Sequence, residues 1–223
     1  MDIQPIAYAR NGFSQKFGIP RQSREESCLL TQIVFAPEYR VREALRGIEG
    51  YSHLWLIWGF SDNKPGESWS PTVRPPRLGG NKREGVFATR SPYRPNPLGL
   101  SSVRLLRVEE TPAEGLILLV AGADLMDGTP IYDIKPYLSY TDAHPDARNG
   151  FAEATKDYKV PVEWLTAAPE ERIRMALEEI LSKNPIPSYQ NDPDRVYGLE
   201  YDGVEVHFSV AQNKVLVKKI TYK

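Results

Sequence analysis

Three prolines within six residues, Pro92, Pro95 and Pro97, dominate the stretch Gly85 to Leu100. It reads Gly-Val-Phe-Ala-Thr-Arg-Ser-Pro-Tyr-Arg-Pro-Asn-Pro-Leu-Gly-Leu. Each proline fixes φ, removes a backbone donor and pushes the residue before it out of the α region. The stretch therefore cannot be a helix. Its start, Gly85 to Thr89, is a short apolar run that suits a strand. The remainder is expected to be a stiff extended loop displaying Arg90, Ser91, Tyr93, Arg94 and Asn96. Two guanidiniums, a hydroxyl and an amide on a rigid backbone suit an anion or nucleotide site. The same residues also suit a structural loop whose arginines face water.

Charge sharpens that choice. The chain is nearly neutral, with a formal net charge of −1 over 223 residues. Yet Thr72 to Arg107 holds eight basic residues and one acid, Glu84. A focused basic segment is a better nucleic-acid signal than a high overall charge. Within it, Pro71 to Asn81 is a second proline-arginine loop, carrying Arg74 and Arg77.

Around these loops the pattern is mainly β. Strands are expected at Ile3 to Ala9, Cys28 to Phe35, Ser52 to Phe60, Leu98 to Val108 and Gly115 to Ala121. Ser52 to Phe60 is the most apolar run and reads as a central strand buried on both faces. A helix is expected after Pro37, where Val41, Ala44, Leu45 and Ile48 follow helical spacing and Gly47 and Gly50 end it. Asp127-Gly128 marks a tight turn. Strands that follow one another without crossover helices favour an antiparallel or mixed barrel over a doubly wound sheet. Composition shifts in the polar stretch Ser139 to Ala154. Beyond it, Pro169 to Lys183 is an amphipathic helix, followed by strands Val196 to Tyr201 and Val204 to Val210 around Asp202-Gly203, and by Leu216 to Ile220. The expected organisation is a β-barrel domain over residues 3–140 and a small α+β domain over residues 155–223.

Several chemistries lack support. No glycine-rich dinucleotide fingerprint, phosphate loop or nucleophile elbow is present. One cysteine, Cys28, excludes an intrachain disulfide and reads as a buried small hydrophobe. Three scattered histidines do not make a metal site. His53 reads as a core histidine rather than a catalyst. No apolar run approaches the ~20 residues that span a membrane, and a cytoplasmic location is expected.

Four motifs stand in order: Ser-His-Leu-Trp (52–55), Arg-Pro-Pro-Arg-Leu-Gly-Gly-Asn (74–81), the run from Gly85 to Gly99, and Asp-Leu-Met-Asp-Gly-Thr-Pro-Ile-Tyr-Asp-Ile-Lys-Pro-Tyr (124–137). Together they resemble the TsaA-like family, the TrmO-type tRNA methyltransferases. The resemblance covers residues 3 to 140 well. It implies a homodimeric β-barrel enzyme that uses S-adenosylmethionine without a Rossmann domain. The implied substrate is tRNA bearing N6-threonylcarbamoyladenosine at position 37, methylated on N6.

Carried over by motif, Pro20, Arg21, Gln22, Phe60, Ser61, Arg90, Leu100, Leu125, Met126, Asp127 and Gly128 would hold the cofactor. Ser61 stands where close relatives are expected to carry histidine, which bears on its own role. Arg74, Arg77, Arg94 and Asn96 are the candidates for the tRNA side. Asp133, Tyr137 and Asp127 are alternative acceptors for the N6 proton, and no metal is implied. The competing class is a non-catalytic barrel that senses S-adenosylmethionine or binds RNA. Turnover separates the two.

Overall fold

The computed structural model describes the chain apart from residues 1, 24–25, 62–68, 76–81, 187–191, 193 and the side chain of Thr155. It divides into two compact units. The first comprises residues 1–11, 21–73 and 84–142, and the second residues 12–20, 74–83 and 143–223.

The first unit holds β1 (Ala7–Arg10), β2 (Leu30–Phe35), β3 (His53–Gly59), β4 (Thr72–Val73), β5 (Glu84–Gly85), β6 (Leu98–Thr111), β7 (Gly115–Ala121) and β8 (Pro130–Pro136). Six of these close into a barrel in the order β1-β2-β7-β6-β3-β8, and every neighbouring pair is antiparallel. The fold class is therefore mainly β, as expected. Closure leaves no strand edge within this sheet unpaired. Alternate residues fill the interior: Ala7 and Ala9, Ile33 and Phe35, Leu54, Leu56 and Trp58, Val103 and Leu105, Leu118 and Val120. β3 buries one face fully and the other in part, so the expectation of burial on both faces holds for only one of them.

Two glycines make room for aromatic rings. Gly99 pairs with Trp58 across the β6–β3 ladder, and a Cβ at Gly99 would fall 2.2 Å from the Trp58 ring. A Cβ at Gly59 would fall 2.7 Å from the Tyr132 hydroxyl.

Several local expectations fail for identifiable reasons. Residues 37–50 form three short 3-10 turns, Pro37–Tyr39, Arg42–Leu45 and Ile48–Gly50, rather than one helix. None buries a residue fully. The segment packs on the core only through Leu45 and Ile48, a spacing of three that a 3-10 turn also satisfies. Gly47, at φ 86°, separates the last two turns. Gly85 to Thr89 is likewise not a strand. β5 ends at Gly85, and Val86–Ala88 form a 3-10 turn that tucks Val86 into the interior. Cys28 is partly exposed rather than buried. A four-residue helix α1 (Ser139–Asp142) follows β8.

The second unit contains β9 (Val162–Trp164), α2 (Glu171–Ser182), β10 (Tyr197–Tyr201), β11 (Val204–Ala211) and β12 (Lys214–Tyr222). Its sheet runs β10-β11-β12-β9, with β9 parallel to β12. Asp202-Gly203 turns β10 into β11 with both residues at positive φ, 49° and 76°. α2 buries Ile173, Ala176, Leu177, Ile180 and Leu181, the face its periodicity predicts. Glu178 accepts from the Trp164 indole N–H at 2.9 Å and from Arg174 at 3.1 Å. Residues 12–20 pack onto the same sheet. Phe13 meets Tyr201 edge to face at 4.9 Å, and Phe17 stacks on Phe208 at 6.5 Å.

Candidate functional site

The inward-facing positions of β6 carry one hydroxyl among aliphatic side chains, Ser101, which is 1% exposed. A buried hydroxyl needs partners. Ser101 accepts from the Trp58 indole N–H at 2.9 Å and donates to a carboxylate oxygen of Asp124. This chain of donors runs inward to outward, from Trp58 through Ser101 to Asp124. Phe60 packs edge to face on Trp58 at 4.5 Å. Asp124 also takes a hydrogen bond from the Ser23 backbone and lies in the field of Arg90. Arg90 in turn donates to the Gln22 side-chain carbonyl.

Burial pushes the Asp124 carboxyl above its ordinary value, against the lowering effects of the Ser101 hydrogen bond and the Arg90 charge. The barrel thus brings Gln22, Arg90 and Phe60 to one corner, with Asp124, Ser101, Trp58 and Ser23 behind them. From the sequence, Asp124 stands only as the first residue of the 124–137 motif, and Ser101 carries no role. For Ser101 the available signal was a polar residue at an inward position of an amphipathic strand.

The other expected residues fall elsewhere. Leu125 is fully buried in the barrel core, and Met126 is half-buried. Asp127 and Gly128 make the turn before β8. The Asp127 carboxylate accepts from Asn11 N–H at 2.9 Å, and Gly128 N–H donates to Ala9 carbonyl at 2.8 Å. The Asn11 amide spans the same turn, reaching Leu125 carbonyl at 3.0 Å and Thr31 hydroxyl at 3.2 Å. Asp127 therefore shapes a turn, and it borders an open groove of about 340 Å³ beside Tyr8 and Phe35.

Leu100 faces outward from β6. It pairs with Ile57, which pairs on its other side with Asp133. Since paired residues share a face, Leu100, Ile57 and Asp133 form one outward row across β6, β3 and β8. Asp133 accepts from Ile134 N–H at 2.9 Å and meets Lys135 at 2.9 Å. Tyr137 lies further along the same wall, its ring 5.5 Å from Trp55 and 6.1 Å from His53. The histidine is half-exposed, with Nδ1 2.9 Å from the Ser52 hydroxyl.

Ser61 and Arg21 are exposed. Arg94 Nη1 donates to the Thr89 and Ser91 carbonyls at 3.2 and 3.3 Å, fastening the proline loop, while Asn96 is exposed at its tip. Pro20 and Arg74 belong to segments grouped with the second unit. Arg77 lies outside the described residues.

A barrel corner built from an arginine, a glutamine amide and a partly buried carboxylate is not by itself diagnostic. Comparison with known proteins is. The family model described as the tRNA-methyltransferase O N-terminal domain matches residues 8–143, and the TrmO C-terminal domain model matches residues 157–223. The chain belongs to the TrmO family.

Among its relatives, a protein of Eikenella corrodens named tRNA (adenine(37)-N6)-methyltransferase is 44% identical, over 76% of this chain and 97% of its own length. The Escherichia coli protein of the same name is 36% identical, covering 84% of this chain and 83% of its own. A Pseudomonas aeruginosa relative, provisionally named an S-adenosylmethionine-dependent methyltransferase, is 40% identical over 92% of this chain and 91% of its own. The crystal structure of TrmO from Pseudomonas aeruginosa superposes with a TM-score of 0.79 at 33% identity, covering 100% of this chain and 97% of that one.

The corner fits the cofactor expected of a TrmO enzyme by its donor set. An exposed guanidinium suits a carboxylate, and its only described side-chain partner is Gln22. The Asp124 carboxylate suits a neighbouring positive group, and Phe60 supplies apolar surface.

Proposed function

We propose that this chain is an S-adenosylmethionine-dependent methyltransferase acting on N6 of adenosine 37 of tRNA. The names of its Eikenella, Escherichia and human relatives state that transfer to adenine 37. The observation that carries the reading is the ordered match of both TrmO models along the chain, on a barrel that presents the Arg90 corner. The finer reading is that the acceptor is N6-threonylcarbamoyladenosine, that the enzyme works as a homodimer, and that it acts in the cytoplasm. No helix among the described residues is long and apolar enough to cross a membrane.

S-adenosylmethionine supplies a methyl group on a sulfonium, electrophilic toward nitrogen. Arg90 binds the carboxylate of the amino-acid end by charge-assisted hydrogen bonds, with Gln22 fixing the guanidinium. Arg21 and Pro20 are assigned to the cofactor by the resemblance alone. Phe60 supplies apolar surface, while Ser61, Leu100 and the Leu125 to Gly128 turn are likewise assigned to the cofactor by the resemblance alone. The protein's main contribution is positioning, which requires donor and acceptor atoms held about 3–3.5 Å apart.

Loss of the N6 proton needs an acceptor. Asp133, Tyr137 and Asp127 are the candidates, and the placement favours Asp133. It shares an outward row with Leu100 across β3, whereas Asp127 lies in the turn before β8. Arg74, Arg77, Arg94 and Asn96 are assigned to the RNA.

The test is methyl transfer from labelled S-adenosylmethionine to tRNA with and without the threonylcarbamoyl group. Label entering only the modified tRNA is the expected result. No label in either, with cofactor binding intact, would move the assignment to a sensor.

A further inference from the structure

β4 and β5 form a two-stranded ribbon in register Thr72↔Gly85 and Val73↔Glu84. Antiparallel pairing continued past Thr72 and Gly85 brings Trp69 opposite the Val86–Ala88 turn. There the Trp69 and Phe87 rings lie nearly parallel, 23° apart with centroids separated by 6.4 Å. Both face outward, Trp69 49% and Phe87 73% exposed. Their backbones are well anchored. Val86 is buried and donates its N–H to the Pro71 carbonyl at 2.9 Å. The Ser70 hydroxyl donates to the Thr72 carbonyl at 2.7 Å, and the Thr89 hydroxyl to the Val86 carbonyl at 2.9 Å.

An aromatic pair that served only the fold would turn inward, as Phe13 and Tyr201 do. This pair is instead held outward on a pinned backbone. The chain that continues from it carries Arg90 and Arg94 with no acid over residues 85–107, and the Arg94 guanidinium is fixed by the Thr89 and Ser91 carbonyls. Exposed aromatic faces followed along the chain by a fixed arginine suit unpaired bases joined by phosphates. A second protein surface would gain little from that excess of like charge.

We propose that Trp69 and Phe87 form a stacking platform for an unpaired base of the RNA substrate, with the arginine-bearing loop after them taking the adjoining phosphates. The platform accepts any base, because every base has a π-face. It adds affinity and fixes the loop of the RNA without reading its sequence. The inference rests on the tRNA methyltransferase reading for the identity of the RNA, and its test is arranged to fail separately.

The test compares Trp69→Ala, Phe87→Ala and the double variant with Trp69→Phe and Phe87→Tyr, which keep a ring. Three quantities are read: tRNA affinity over a salt series, S-adenosylmethionine affinity and sedimentation. Each alanine variant should bind tRNA roughly tenfold more weakly, as expected for one lost base stack. The slope of log Kd against log salt should stay unchanged, since no phosphate contact is lost. The ring-keeping variants should bind as wild type, and cofactor affinity should hold throughout. Wild-type tRNA affinity in the alanine variants overturns the platform. So does a loss that comes with an altered sedimentation coefficient, which would make the pair a contact between protein copies. If wild type binds tRNA through the rings but transfers no methyl group, the platform stands and the activity reading falls.

Discussion

The corner at Arg90 and the ribbon at Trp69 are 21 residues apart in sequence and lie in the same unit, yet they are built on opposite principles. At the corner, polar groups follow one another from the core outward: Trp58, Ser101 and Asp124 through hydrogen bonds, then Arg90, which acts on Asp124 through its charge and donates to Gln22. At the ribbon, two large apolar rings are turned to the surface on a tethered backbone. The corner is prepared for a small, charged ligand whose groups must meet fixed partners. The ribbon is prepared for a flat ligand of variable identity, for which directional bonding would be a hindrance. Each can be broken without touching the other, and the comparison predicts different readouts for each.

The largest effect is expected at the corner's outermost member. Arg90→Ala should weaken S-adenosylmethionine binding by about 100-fold or more, because the ligand carboxylate loses its charge-assisted partner. Calorimetry checks this, and near-normal affinity would remove Arg90 from the cofactor site. Arg74→Ala should leave cofactor affinity alone, weaken tRNA binding and reduce its salt slope by about one.

Next comes the packing that holds the corner up. Gly99→Ala would set a methyl group 2.2 Å from the Trp58 ring, and neither the ring nor the paired β3 backbone can move freely. A loss of about 2–3 kcal/mol in unfolding free energy is expected, measured by denaturant titration. Ser101→Ala should cost about 1–3 kcal/mol, because the Trp58 indole N–H loses its acceptor and Asp124 loses a donor. A variant as stable as wild type would mean that the hydroxyl is not the hub of the network.

The same contrast explains what could be read in advance. The barrel was legible because β3 and β7 are apolar and uninterrupted, because β6 alternates in part, and because the motifs of residues 52–137 resemble TrmO in order. Arg90 stands within those motifs, while Gln22 lies outside them and was named from the resemblance alone. Their relation to Asp124 was not legible, because it depends on barrel closure. Ser101 and Asp124 are 23 positions apart and meet only when β6 curls its inner face toward the turn after β7. The Trp69–Phe87 stack was hidden for a related reason: a strand was expected over Gly85 to Thr89, where the structure has a 3-10 turn that buries Val86 and rotates Phe87 outward. The misread helix after Pro37 shows the limit of periodicity itself, since apolar residues three apart fit either helix type.

The smallest effect is the most discriminating about the corner's electrostatics. Burial raises the Asp124 pKa, while Ser101 and Arg90 pull it down. A carboxyl whose native pKa lies above its unfolded value of 3.8 takes up a proton in the folded state first. The wild type should therefore gain stability relative to Asp124→Asn as pH falls through the raised native pKa toward 3.8, and the difference should level off below it. At neutral pH the variant is spared the burial of a charge, and its amide oxygen can still accept from Ser101. Denaturation of both proteins across that window measures the trend. A stability difference that moves the other way would mean that the arginine and the hydroxyl outweigh burial, so that Asp124 works as a firmly ionised anchor. Repeating the series with Arg90→Ala in both proteins removes the attraction that lowers the pKa. The window should then extend to higher pH, which would tie the buried carboxylate to the guanidinium by measurement as well as by placement.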